Sequence, residues 1–518
     1  FVPPLLWAHP VKTRPHQGKA SSMALMMGGG PAAAFLAMAT PAVGFVAPAN
    51  KAAPANNLRT SRHLQAASPA ISEESRSSSG AAPATSALST VAAGIALSTV
   101  AVSAASARRR RGACRTTRKA VDEKRFPVLS RRAPVGVFPK LPPSVHPGVV
   151  TGQSLIDLLD HAKKEGFAIP AVNCVSSSSI NACLEAARKM DAPIIIQFSS
   201  GGSQFYAGKG LDNTKFHAAI AGAVSGAYHV RALAEQYGVP VILHTDHCAK
   251  NTLGWMDGML EADERYFELH GEPLFSSHML DFSEEPLEEN IELCVHYMKR
   301  MSAIKCGLEM ELGITGGEED GVNNEDVRQE DLYSKPQEIY EVYKALKEVP
   351  NANFTVAAAF GNVHGVYSPG NVTLDPEILG NAQKFIKEKL GCQEDKPVQF
   401  VFHGGSGSAL TDIRQAMDYG VIKMNIDTDT QWAYWNGIKG FEAKYHDYLQ
   451  TQIGNPDGKE KPNKKYYDPR ACMRAAEVSV ASRMEQAFQD LKCVNILGLG
   501  PPAKPENVLG PRRGGLPA

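Results

Sequence analysis

The chain has 518 residues, no net formal charge and 43% hydrophobic residues, enough for a sizeable core in one large domain or several ordinary ones. Before Asp122 the only acids are Glu73 and Glu74 among frequent Arg and Lys, so the remainder carries net negative charge, which argues against nucleic acid as its main ligand. Nine cysteines without a CxxC pair exclude a zinc ribbon and a disulfide framework.

Residues 1–137 are rich in Ala, Ser, Pro and Arg and nearly free of acids. Such a composition cannot bury enough apolar surface to fold alone, so it reads as a disordered targeting leader. Met23 is a candidate start, and 23–49 looks like a short apolar signal region with small residues before Phe45. A second apolar run, 84–107, is followed by RRRR in a basic stretch, 108–119. Its length suits a weakly hydrophobic membrane span with a stop-transfer flank; an Ala/Ser linker is the alternative. The arrangement resembles the bipartite plastid-targeting leaders of algae with complex plastids. That implies a plastid stromal address, with the cytoplasm as alternative, and no stable membrane association once the leader is removed.

From Phe138 to about residue 500 the composition is globular, and 501–518 reads as a disordered tail. Apolar, β-branched runs recur: 167–173, 192–199, 240–246, 274–281, 307–313, 354–365, 398–405 and 421–428. Helical patterns separate them, among them 154–166, 179–190 and 287–301. Strand and helix alternating eight times predict an α/β fold of the (β/α)8 TIM barrel type; a doubly wound sheet is the alternative. The runs end in polar residues, as in VILHTDHCAK (241–250). In a parallel barrel those ends share one rim, where active sites form.

Four strand ends offer metal ligands: His247, Glu311, His364 and His403. Three imidazoles and a carboxylate suit tetrahedral Zn2+ or a related divalent ion. A single such histidine is as often merely hydrogen-bonded; three on one rim shift the balance towards a metal. Glu309 shares the strand face of Glu311 and is expected to support the site rather than to be a ligand. HGGSG (403–407) and NIDTDT (425–430) close strands seven and eight, whose loops commonly form a phosphate site. There Ser406 and Thr428 can donate. In TGGEEDG (315–321), Glu318 and Glu319 suit either a mobile loop carrying a base or a solvated surface. Arg470 suits a second phosphate clamp or a plain surface position. No lysine in an apolar strand stands out as a Schiff-base former. A metal beside a phosphate site points to metal-assisted carbon–carbon bond cleavage or formation in a phosphorylated carbonyl compound.

HTDHCAK, ELGITGGEEDG, FGNVHGVY, FHGGSGS and KMNIDTDTQWA resemble class II, metal-dependent fructose-1,6-bisphosphate aldolase, in the longer form of enteric bacteria, over about residues 140–497. The resemblance implies Zn2+ at His247, Glu311, His364 and His403, with Asp281 at an alternative metal position. It implies Asp246 as acid/base at the aldehyde-half oxygen, Glu319 as the loop base for dihydroxyacetone phosphate, and Asn425 as support for the enediolate. Asp427 is similar to a residue binding substrate hydroxyls. Gly365, Gly404, Ser406 and Thr428 match the dihydroxyacetone-phosphate phosphate site. A monovalent cation, Na+ or K+, is expected near Val363, Gly365 and Gly404. Arg470 resembles an arginine reaching the other phosphate from a neighbouring subunit, which implies a homodimer. Asn173 and Ser199 match substrate-side positions. FSSGG (198–202) departs from the family's Ser-Asn before Gly-Gly. The leader is a larger departure, and it alters address rather than chemistry. The nearest alternatives are tagatose-1,6-bisphosphate aldolase, a zinc hydrolase on the same barrel, and a metal-stabilised binding protein.

Overall fold

The computed structural model describes residues 138–319, 322–324, 332–365 and 373–500; for 318, 319 and 322–324 it describes the backbone alone. The expected leader, with its segments 23–49, 84–107 and 108–119, and the expected tail lie outside the described residues. Among the described residues no helix is long and apolar enough to cross a membrane, and all eight cysteines are free.

Each of the eight apolar runs contains a strand. They are β1 Ile169–Asn173, β2 Ile194–Phe198, β3 Pro240–Thr245 and β4 Ser277–Leu280. Then follow β5 Gly307–Leu312, β6 Phe354–Ala358, β7 Phe400–Phe402 and β8 Val421–Asn425. Every neighbouring pair is parallel, and β8 pairs back onto β1 through Lys423 and Ile169. That last pairing closes the sheet and rules out the doubly wound alternative, whose edge strands stay open.

Helices cover the outside. Ser177–Met190 follows β1; the Ser176 hydroxyl accepts from the Ser179 amide at its start, and Ile180, Cys183, Leu184 and Ala187 form its buried stripe. Because both faces of the sheet are covered, a strand such as PVILHT is buried at every position. The opening run of VILHTDHC therefore does not fill the barrel as a block. Ile242 and His244 line the interior, with Ile195, Glu309, Thr355 and Lys423. The alternating Val241 and Leu243 face the helices. Helix Gln153–Glu165 sends Leu155 and Leu159 to the same interior space. After β8 come two long helices, Thr428–Leu449 and Pro469–Asp490, with a small antiparallel hairpin, Ile453–Asn455 and Gly458–Pro462, between them.

Candidate metal centre and active site

The mouth begins where β3 breaks. The Asp246 amide still donates to Phe198 O at 2.9 Å, but His247 has φ +39°. Regular alternation would send Asp246 and His247 to opposite faces. The left-handed residue brings both to the mouth, at a cost of about 1–3 kcal/mol that the surroundings must hold.

Donor atoms of His247, His364 and His403 lie within 4.8 Å of one another, and so do those of His247, Asp281 and Glu311. Glu311 is buried, and its Oε1 accepts the Thr315 hydroxyl at 2.6 Å. Its Oε2 faces His403 Nδ1 at 3.3 Å and His247 Nδ1 at 3.4 Å. Glu311 Oε2 and His403 Nδ1 are buried without a hydrogen-bond partner. Two acceptor atoms held this close need positive charge between them, a proton or a metal ion. Three imidazoles and two carboxylates around one point fit a divalent ion well. Asp281 Oδ2 stands 2.9 Å from His247 Nδ1, and Ser283 binds Asp281 Oδ1. Burial opposes ionisation of Asp281, but His247 and Ser283 outweigh it and hold the carboxyl below the usual range.

Behind the ligands lies a charged layer inside the barrel. His403 Nε2 is 2.9 Å from Glu309 Oε1, which fixes that nitrogen outward and turns Nδ1 to the centre. Both Glu309 oxygens also accept from Lys423 Nζ, at 2.6 and 2.7 Å. Burial would raise Glu309, but Lys423, then His244 and His403, hold it well below the carboxylate range. Burial, reinforced by the Lys423 charge, pushes His244 down to about 4. Burial also works against the His403 imidazolium, yet Glu311 and Glu309 outweigh it and push that imidazole up to about 9. Glu309 thus supports the site as expected. Lys423 is a buried lysine on an apolar strand, which the sequence reading did not single out. Its ammonium is committed to Glu309, so it does not act as an amine nucleophile.

Beside the ligands, Asp246 is fully buried and accepts from Gln197 Nε2 at 2.7 Å and Asn425 Nδ2 at 3.2 Å. The amide nitrogens are spent on this carboxylate. Gln197 Oε1, Asn425 Oδ1 and, from the end of β1, Asn173 Oδ1 are left buried without partners. Three such acceptors suit a ligand rich in hydroxyls. Gln197 was absent from the candidates; its inward position two residues after Ile195 was the available signal.

The loops after β6 and β7 meet at Gly404. Gly404 has φ +59°, and a Cβ there would stand 2.3 Å from Val363 O, so only glycine permits this approach. Gly365 also has positive φ, at 98°. Ser406 Oγ accepts from the Asp429 amide at 3.3 Å in the first turn of the helix that Thr428 begins. Asp427 Oδ2 accepts from Gln431 Nε2 at 2.6 Å. Ser199 caps the helix Ser200–Ala207 by accepting from the Gly202 amide. Asn362, also missed, ties loops together: it accepts from the Phe360 amide and donates to Thr315 and to His403 O. Glu319 ends the short strand Gly317–Glu319, and its side chain lies outside what is described. Arg470 is not brought to the cluster within this chain; it is exposed and paired with Asp468 at 2.6 Å.

The profile of the family described as fructose-bisphosphate aldolase class-II matches residues 153–496. The chain is 57% identical over 351 residues to the fructose-bisphosphate aldolase of Campylobacter jejuni, covering 68% of this chain and 98% of that protein. It is 53% identical over 354 residues to the class 2 enzyme of Escherichia coli K12, covering 68% and 98%. A crystal structure of the Campylobacter jejuni aldolase superposes with a TM-score of 0.62 at 55% identity, covering 68% of this chain and 98% of that one. The closed barrel, the ligand cluster at its mouth and this extent of identity together establish that the chain belongs to the metal-dependent class II fructose-bisphosphate aldolase family.

Proposed function

We propose that the protein catalyses the reversible cleavage of fructose 1,6-bisphosphate to dihydroxyacetone phosphate and glyceraldehyde 3-phosphate, with Zn2+ at His247, Glu311, His364 and His403. The carrying observation is the pair Glu311 Oε2 and His403 Nδ1, buried 3.3 Å apart without a hydrogen bond, beside an Asp246 carboxylate held by two amides. A divalent ion held by these residues would supply a Lewis acid for the ketone oxygen. Asp246 takes the proton of the C4 hydroxyl. Asn425 and Gln197 fix its orientation and offer their carbonyl oxygens to sugar hydroxyls, with Asn173. Glu319 moves the proton at the dihydroxyacetone-phosphate carbon, and Asp427 and Ser199 hold the substrate. Backbone groups at Gly365 and Gly404, with Ser406 and Thr428, take one phosphate. Backbone groups near Val363, Gly365 and Gly404 would hold a monovalent cation, which would offset phosphate charge. Asp281 serves as the alternative metal position.

Residues 138–500 are the catalytic domain in this reading, 1–137 a plastid-targeting leader and 501–518 a tail. A second copy of the chain brings its arginine at position 470 to the other phosphate. Support comes from Trp432 and Trp435, which lie exposed on the long helix after β8.

The test is triose-phosphate release from fructose and tagatose 1,6-bisphosphates, each with and without EDTA. The expected result is chelator-sensitive cleavage of the fructose ester. Cleavage that survives complete metal removal, preference for tagatose, or release of inorganic phosphate in place of triose overturns the proposal.

A further inference from the structure

Behind the mouth, on the outer face of the barrel wall, lies a second polar chain. It consists of Asp263 on helix Leu253–His270, His278 on β4 and Thr245 at the end of β3. His278 Nε2 is 2.6 Å from Asp263 Oδ2, and His278 Nδ1 is 2.7 Å from Thr245 Oγ1. Asp263 Oδ1 accepts the Phe275 amide at 2.8 Å. All three residues are fully buried, at 0% exposure.

With Cys306, Asp263 and His278 have the make-up of a metal site, their donor atoms lying within 4.8 Å. The hydrogen bonds decide against it. Both carboxylate oxygens and both ring nitrogens already have partners, unlike Glu311 Oε2 and His403 Nδ1. The group is a closed relay, and burying it is costly unless every member is paired. Valine or leucine fills such a wall more cheaply, so the relay calls for another reason.

Its position supplies one. Thr245 is the ladder partner of His278 and the last regular residue of β3. The next two residues are Asp246 and the left-handed His247. Presenting both to the mouth requires the alternation to break at one fixed point. A strand end free to rock would blur the carboxylate and the imidazole together.

We infer that Asp263, His278 and Thr245 are positioning residues, which clamp the end of β3 so that the strained turn presents Asp246 and His247 at once. The inference rests on the roles given above to those two residues and adds what holds them. No proton moves along the relay; its work is geometric.

Thr245→Val removes the hydroxyl and keeps the shape, whereas Thr245→Ser keeps the hydroxyl. In the metal-loaded full chain, kcat and KM for fructose 1,6-bisphosphate are measured, together with the rate at which a colorimetric chelator extracts the metal. Thr245→Val is expected to lower kcat about tenfold with KM within about twofold, a sub-ångström misplacement effect. Metal extraction is expected to speed up, and Thr245→Ser to restore both. His278→Gln is expected to act in the same direction; should it not fold, Thr245→Val decides. Wild-type kcat and extraction rate in Thr245→Val, or equal impairment in both Thr245 variants, overturn the inference. Extraction reads the clamp even if the substrate assignment fails, so the two failures are distinguishable.

Discussion

Lys423 Nζ stands 2.6 and 2.7 Å from the two oxygens of Glu309, and both side chains are buried. Removing one partner of such a pair strands the other charge in a low-dielectric interior. Lys423→Met is therefore expected to cost about 3–5 kcal/mol in denaturant unfolding, with part recovered by adding Glu309→Gln. The candidate ligands were legible because three histidines and a glutamate follow apolar runs whose ends share one rim. Lys423 was not, because the alternation in VIKMN does not say which face of the strand turns into the barrel. His403 gives a pH dependence. Its imidazole is raised to about 9, above the ordinary 6.5. Its ion pairs with Glu311 and Glu309 thus stabilise the metal-free fold fully below about 6.5, and this contribution is lost as pH rises through about 9. A divalent ion competes with the same proton, so its affinity is expected to rise up to about tenfold per pH unit in that window, with proton release. Calorimetric metal titrations in buffers of different ionisation heat would read both, and a pH-independent affinity would contradict it.

At the scale of elements, strand ends and the loops after them do the assembling. β7 spans only Phe400–Phe402, so the residues expected to continue it, His403 to Gly405, are loop. β6 likewise stops at Ala358, and His364 comes from a loop that bridges to Gly316. Apolar runs predicted where strands lie; hydrogen bonding with neighbours set where they stop. Gly404 is the tightest such junction, with the Val363 carbonyl where a Cβ would be. Gly404→Ala is expected to destabilise the protein by about 1–3 kcal/mol through forced backbone shift. It is also expected to raise KM for the bisphosphate while leaving metal content unchanged. Normal KM at full metal loading would remove the loop from the phosphate site.

The whole molecule raises the question of a second copy. Arg470 is exposed and bound only to Asp468 among its described polar contacts, so within one chain it completes nothing. If the arginine works across a two-fold interface, Asp246→Ala and Arg470→Ala are each nearly inactive alone. Mixed after co-refolding, they are expected to recover about a quarter of wild-type activity, because one site in each heterodimer has all its parts. No recovery would rule out action of Arg470 across the interface.

The sequence by itself determined the barrel, the order of its eight strands and the identity of the four principal ligand candidates. Hydrophobic period and polar strand ends are local properties, and the fold follows from their repetition. Only the tertiary structure decided which side chains face one another. Closure of β8 onto β1 turned Lys423 inward to Glu309, and the left-handed turn at His247 put two consecutive residues on one side. Burial then made partnered and unpartnered donors distinguishable. Those outcomes depend on neighbours far apart in sequence, Asp246 and Asn425 by 179 residues, a separation no local pattern encodes.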